Sequence, residues 1–301
     1  MYILKPESRE RIWGTPRLHA YSGDSQIEKI GSVYSASGIA EIDCRIVGED
    51  QTFSQLVAAD PAKFGLAPGE VYPLIISFTA CDENLSIQVH PTDDYAQKRE
   101  KMPYGKSEAW YFVSPPENGW IYAEQQIPEK AALLEAAKDN QYSQILKEYP
   151  VAQNDLIYIP SGTIHALTKG SLVYEIQQST DLTYRFYDYD RKDKEGQKRE
   201  LHLEKAIETL KPEQQVEKKS FELVKTVQQR EFTIQHLKGK QIVENRSEVA
   251  SVLTILAGEM VLNGETCSGG QSVLLLKEEH VELPATVEAV LATPQRYWTD
   301  K

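Results

Sequence analysis

Cysteine is scarce: the 301 residues contain three, Cys44, Cys81 and Cys267. They are far apart and odd in number, so neither a disulfide framework nor a CxxC metal knuckle follows from them. Long apolar runs are missing too. The longest, near Leu74–Ile76 and Val273–Leu276, fall far short of the ~20 residues a membrane-spanning helix needs. The N-terminal MYILKPESRERIWG has no apolar signal core, and a cytoplasmic location is expected. No glycine fingerprint of a dinucleotide fold and no Walker loop occurs, which leaves a nucleotide-binding fold without support. Positive charge is in deficit, with 33 Lys and Arg against 45 Asp and Glu, a net charge of −12. That balance disfavours nucleic acid or an anionic membrane as the main partner, because both would be repelled at long range. It leaves room for a small anionic substrate, since a local basic pocket overcomes a diffuse negative field.

What the chain has in abundance is short strand-like runs. IEKIGSVYSAS, YPLIISFTA, LSIQVH, AWYFVS and NDLIYIP are each bounded by Gly, Pro, Asp or Asn. Helical pieces are few. TFSQLVAADPAKFG reads as a short helix broken near Pro61, and PTDDYAQKREKM opens with proline and acids and closes with basic residues. PEKAALLEAAKDNQYSQILKEY predicts the clearest helix, with a break near Asp139 and Asn140, and LHLEKAIETL predicts another. After the charged KPEQQVEKKS the chain reads almost entirely as strands and glycine turns, in the manner of a jelly-roll barrel. The expected architecture is mainly β, with a barrel-like domain carrying helical insertions over 1–215 and a second, smaller barrel-like domain over 216–301.

Within the first domain, strand alternation puts Ser86, Gln88 and His90 on one face, opposite Ile87 and Val89. A polar face on an internal strand is costly unless it lines a wet or metal-filled cavity. Further on, GKSEAWYFV places Glu108, Trp110 and Phe112 together, with Lys106 two residues before the glutamate. IPSGTIHAL then sets His165 just after a Pro-Ser-Gly turn. Gln88, His90, Glu108 and His165 would together offer a carbonyl oxygen, two imidazole nitrogens and a carboxylate, a set suited to zinc with a position left for water or substrate. Taken singly, a QxH pair or a lone histidine fits an ordinary surface or core residue equally well. In LVYEIQQSTDLTYRFYDYDR, Val173, Glu175 and Gln177 share a face, and Arg185 offers a planar donor fork to a phosphate or enediolate, or forms a salt bridge with Asp181 or Asp188. Arg11 and Lys98 read as solvated charges, and His236 and His280 as ordinary surface or interface residues.

The ordered combination of RIWG, LSIQVHP with YGKSEAWY, IYIPSGTIHAL and YEIQQSTDLTYRFYDYDR resembles the type I mannose-6-phosphate isomerases in their short bacterial form, over roughly the whole chain. The resemblance implies a cupin core with inserted helices, a second smaller barrel-like domain and one zinc ion per chain, held at positions matched by Gln88, His90, Glu108 and His165. It implies interconversion of mannose 6-phosphate and fructose 6-phosphate through a cis-enediol(ate), with a small phosphorylated hexose as substrate. Pocket positions are matched by Trp13, Ser86, Lys106, Glu175 and Arg185, and Asp181 falls at another pocket acid. One segment departs from the pattern: IGSVYSAS has Ser32 where a glutamate is expected and Ser35 where the next acid often lies.

Glu175 is the first candidate for taking the C2 proton, with Asp181, His90 or a zinc-bound hydroxide as competitors. A sugar-phosphate-binding or regulatory cupin with weak or no turnover is the alternative that Ser32 and Ser35 raise. A structural protein in which the histidines merely pack is a third class. Neither oligomeric state nor the role of the C-terminal strands is legible in the sequence.

Overall fold

Strand follows strand through most of the chain, because β-branched and aromatic residues recur between Gly, Pro and Asn turns. The computed structural model describes residues 1–193, 195–222 and 224–299. They group into two compact units, one made of Met1–Arg11, Thr15–Thr79 and Lys219–Lys301, the other of Ile12–Gly14 and Ala80–Lys218. The architecture is mainly β, built of antiparallel sheets with inserted helices. Among the described residues the strand orders are open-ended, so what the structure contains is separate open sheets rather than one traced closed barrel. No helix among the described residues is long and apolar enough to cross a membrane.

The first unit is organised by a sheet in which Tyr2–Lys5 lies between Ser272–Leu275 and Arg45–Ile46. Residues near the N-terminus thus share hydrogen bonds with C-terminal strands, and for that reason 15–79 group with 219–301. Ser251–Ala257, paired with Ser272–Leu275 and Glu288–Pro294, supplies Leu253 and Ile255 to a core completed by Val273, Leu275, Val281 and Ala289. Cys267 is buried in that core, and the Cys44 and Cys81 thiols are also buried, donating to Tyr34 O and Thr168 O. Phe53–Ala59 is a helix with a capping box, the Thr52 hydroxyl accepting from Gln55 N while the Gln55 side chain accepts from Thr52 N. Its path ends at Asp60 and restarts as a single turn at Pro61, as the proline predicts.

The second unit has two sets of strands. Glu108–Ser114 runs between Asp155–Ile159 and Leu172–Gln178. The other set runs Tyr184–Tyr187, Ile87–Val89, Ile164–Ala166, Trp120–Gln125 and Leu146–Pro150. One core cluster draws on both, with Trp110, Phe112, Ile157 and Val173 from the first and Ile87, Val89, Ile121 and Ile164 from the second. The helix Leu203–Thr209 packs on the Tyr184–Tyr187 and Ile87–Val89 strands.

The long helix expected from PEKAALLEAAKDNQYSQILKEY is shorter than its sequence suggests. Lys130–Lys138 is helical, Asn140 takes a left-handed φ of 58°, and Tyr142–Ile145 is one further turn. Leu146–Pro150 is instead a strand paired with Trp120–Gln125. Leu146 is buried while Lys147 and Glu148 are exposed, so pairing at a sheet edge outweighs the modest helix preference of these residues.

Candidate metal centre and active site

Cross-strand register assembles the site. His165 stands directly opposite Gln88, and Gln88 directly opposite Arg185, so the three share a face of neighbouring strands. On the other set, Glu108 stands opposite Gln177, Trp110 opposite Glu175 and Phe112 opposite Val173, which is the same-face grouping that alternation predicts. The turn before His165 is tied to the other histidine, because Gly162 N donates to His90 O at 2.7 Å. Gly162 has φ 89°, and a Cβ there would come within 2.7 Å of the Lys211 side chain, so the turn needs glycine.

His90, Glu108 and His165 are almost wholly buried and bring one ligand atom each to within 4.8 Å of one another. Glu108 Oε1 lies 3.2 Å from His165 Nε2, and Glu108 Oε2 lies 3.5 Å from His90 Nε2. Both rings are oriented from behind. His90 Nδ1 is 2.9 Å from Leu182 O and His165 Nδ1 is 2.9 Å from Thr163 O. A carbonyl oxygen only accepts, so each Nδ1 carries a proton, and Nε2 is the ring nitrogen that each histidine turns toward the carboxylate. Glu108 Oε1 and His165 Nε2 are buried without a hydrogen-bond partner, and Glu108 Oε2, which also makes no hydrogen bond, is paired in charge with the Lys106 ammonium. Leaving such atoms unsatisfied costs about 1–3 kcal/mol each. Acceptor atoms facing one another at these distances suit a cation, and the cluster is capable of holding a metal ion.

The electrostatics agree. Burial, and then the neighbouring Lys106 ammonium, hold the His90 imidazole well below its usual pKa, so it is neutral. Burial alone would raise the Glu108 carboxyl; the positive charge of Lys106 beside it outweighs burial and holds Glu108 well below the usual carboxylate range. Lys106 Nζ sits 2.9 Å from Glu108 Oε2, 3.2 Å from His90 Nε2 and 3.8 Å from Glu175 Oε1. Lysine and glutamate are therefore both at the cluster, as the two-residue spacing suggests.

Gln88 is half-buried and stands opposite His165 in the ladder. Trp13 and Ser86 are buried, and the Trp13 carbonyl accepts from Asp82 N at 3.0 Å. Arg185 is half-buried, with its backbone N–H donating to His202 Nδ1 at 3.2 Å. Asp188, one of the two partners foreseen for Arg185, is buried and engaged by Arg191 and Arg199 at 2.5–2.7 Å. Asp181 is exposed, its carbonyl accepting from Thr183 Oγ1 at 3.1 Å, while the adjacent Leu182 carbonyl tethers His90. Ser32 and Ser35 belong to the other unit. Ser32 Oγ lies 3.1 Å from Thr79 Oγ1, and Ser35 Oγ donates to Gly270 O at 2.5 Å.

Sequence reasoning missed Asp93, Gln178 and His202. Gln178 closes a strand that the structure buries along its whole length, a position that asks for partners. Asp93 looked like an ordinary helix-start acid, and His202 carried no signal.

Comparison with known proteins decides the family. The chain is 31% identical over 300 residues to the mannose-6-phosphate isomerase of Streptococcus mutans, covering 95% of this chain and 93% of that one. The chain belongs to the mannose-6-phosphate isomerase family. Mannose-6-phosphate isomerase ManA of Bacillus subtilis is 35% identical over 211 residues, which cover 69% of this chain and 67% of that one. A crystal structure of the mannose 6-phosphate isomerase from Bacillus subtilis superimposes with a TM-score of 0.75 at 27% identity, over 97% of each chain. No family model matches the chain. In this mannose-6-phosphate isomerase family member the buried His, Glu and His come from three different segments, Glu108 and His165 on strands and His90 just past the end of one, each pinned from behind by the backbone or by an opposing strand.

Proposed function

We propose that the chain is a zinc-dependent aldose–ketose isomerase that interconverts mannose 6-phosphate and fructose 6-phosphate through a cis-enediol(ate). The reading rests above all on the buried His90–Glu108–His165 cluster with its unsatisfied acceptor atoms. Full-length similarity to mannose-6-phosphate isomerases supports it. We assign the zinc to His90, Glu108 and His165, with Gln88 as the fourth ligand. One carboxylate among neutral donors is a composition suited to that ion. Bound there, zinc supplies Lewis-acid polarisation of the sugar's carbonyl and hydroxyl oxygens. The core of this unit is assigned to the cupin type of jelly roll.

The protein groups have distinct tasks. Glu175, directly opposite Trp110 and 3.8 Å from Lys106 Nζ, is assigned to take the C2 proton and return it at C1. Asp181 is exposed and ranks behind it. Arg185, beside Gln88 in the ladder, is assigned to hold negative charge that develops on the enediolate or resides on the phosphate. Lys106 orients a substrate oxygen or neutralises the phosphate, and Trp13 and Ser86 shape the pocket wall. Burial around His90 and Glu108 excludes bulk water, which strengthens each of these interactions.

The test is formation of fructose 6-phosphate from mannose 6-phosphate by purified protein, before and after chelation and again after zinc is restored. The expected outcome is activity that disappears with the metal and returns with it. A folded, fully zinc-loaded sample that binds the sugar phosphate without converting it would instead establish a binding protein and sink the enzymatic reading.

A further inference from the structure

Lys106 does not reach the cluster on a free loop. Each peptide around it is held, and two holders come from remote segments. Gly105 N donates to Asp93 Oδ1 at 2.8 Å, and Ser107 N donates to Gln178 Oε1 at 2.7 Å. Gln178 Nε2 donates to the same Asp93 Oδ1 at 2.8 Å, so the two holders are joined to each other. Lys106 N itself donates to Pro91 O at 3.0 Å, and Gln178 N returns a bond to Ser107 O at 3.1 Å. The Ser107 hydroxyl accepts from Ser161 N at 3.2 Å. Gln178 is fully buried, and a Cβ at Gly105 would come within 2.4 Å of Pro91 O, so the backbone is clamped at van der Waals distance as well.

The chemistry of the clamp is specific. A side-chain amide meets an N–H with its oxygen and a carboxylate with its nitrogen, which fixes its orientation without ambiguity. Hydrogen bonds to an ionised carboxylate are stronger than neutral ones, so Asp93 anchors the arrangement. We propose that Asp93 and Gln178 are positioning residues that set the Lys106 ammonium against Glu108 and Glu175 by gripping the peptides on either side of it. Gln178 also closes the strand that carries Glu175, so one side chain links the lysine's backbone to the proposed base's strand. This inference rests on the isomerase reading for its catalytic consequence and on geometry alone for its effect on Lys106.

The experiment combines Gln178→Met, which keeps length and volume but loses both amide bonds, with Asp93→Ala, a milder change at a half-buried residue. Each is made in the parent and in a Lys106→Met background, with zinc-loaded protein and mannose 6-phosphate. Misplacement of a reacting group by about 1 Å costs up to ~10²-fold. Gln178→Met is therefore expected to lower kcat/KM by about 10-fold to 100-fold in the parent and by less than about 2-fold when Lys106 is already absent, because groups acting through one another are non-additive. Asp93→Ala is expected to follow the same pattern more weakly. Equal fold-losses in both backgrounds, or no loss in the active parent, would overturn the proposal. A second readout needs no turnover: acetic anhydride labelling at Lys106, followed by peptide mass mapping, should accelerate in both variants while other lysines keep their rates. An inactive parent with faster Lys106 labelling in the variants would sink the isomerase reading and uphold the clamp; unchanged labelling would sink the clamp.

Discussion

The protein contains two His–Glu–Lys groupings of the same composition and opposite character. In the first unit His236 Nε2 lies 2.8 Å from Glu288 Oε1 and Lys238 Nζ lies 3.0 Å from Glu288 Oε2. In the second, His90, Glu108 and Lys106 meet at similar distances. The Lys238 side chain is 74% exposed and that of Glu288 22%, whereas Glu108 is 1% exposed and Lys106 9%. His236 also lies flat over Phe221, ring centroids 5.5 Å apart. The first grouping is a half-wet ion pair on one pair of strands, and every group in it has a partner. The second adds another imidazole, removes the water, and leaves acceptor atoms facing one another. Composition alone therefore does not make a cluster capable of holding a metal ion; burial together with facing acceptor atoms does.

The sharpest way to break this contrast is Glu108→Gln. It keeps the shape but removes the anion, and metal content by elemental analysis should fall at least about 10-fold. Activity should fall to background while circular dichroism retains the strand signal. Retention of full metal occupancy would remove Glu108 from the ligand set. Next come Glu175→Gln and Arg185→Ala, expected to lower kcat by about 10²-fold to 10⁴-fold and 10²-fold to 10³-fold respectively with metal retained. Wild-type kinetics in either variant would strike that residue from the mechanism.

A smaller effect is expected from Gly162→Ala, which forces a side chain onto a φ of 89° and against Lys211. About 1–3 kcal/mol of stability should be lost in urea titration, because strained backbone of this kind carries such a cost. The smallest effect belongs to the comparison grouping. Burial raises the Glu288 carboxyl, but hydrogen bonds from Lys238 and His236 outweigh it and leave the pKa below the usual value. A lowered folded-state pKa means that this group adds stability above the unfolded value and loses it as pH falls through the folded one. Glu288→Gln should therefore lower the melting temperature slightly at neutral pH, by the equivalent of at most ~1 kcal/mol for so wet a pair. The deficit should vanish under acid, and isomerisation should be unaffected. A loss as large as that of Glu108→Gln would erase the distinction between the two groupings.

Much of the site was legible because its residues sit on strands. Alternation alone places Gln88 with His90 and Glu108 with Trp110, and the register bears out the sharing of faces by Glu175 and Gln177. Local signals also located the break at Pro61 and the break near Asp139 and Asn140, which the structure makes with a left-handed Asn140. The stretch ILKEY misled, since Leu, Lys and Glu favour a helix locally and only the strand at Trp120–Gln125, distant in sequence, reveals its pairing. Gln178 and Asp93, 85 residues apart, gave no joint signal for the same reason.

The sequence by itself determined which donors are present, which of them share a strand face, and which chemistry those donors suit. These follow from a local rule, the two-residue period of an extended backbone. Only the tertiary structure decided which imidazole nitrogen faces the carboxylate, which buried atoms lack partners, and how Lys106 is held. Those outcomes depend on hydrogen bonds to carbonyls and amides brought together from remote segments, and in a packed interior such groups must find partners wherever the fold places them.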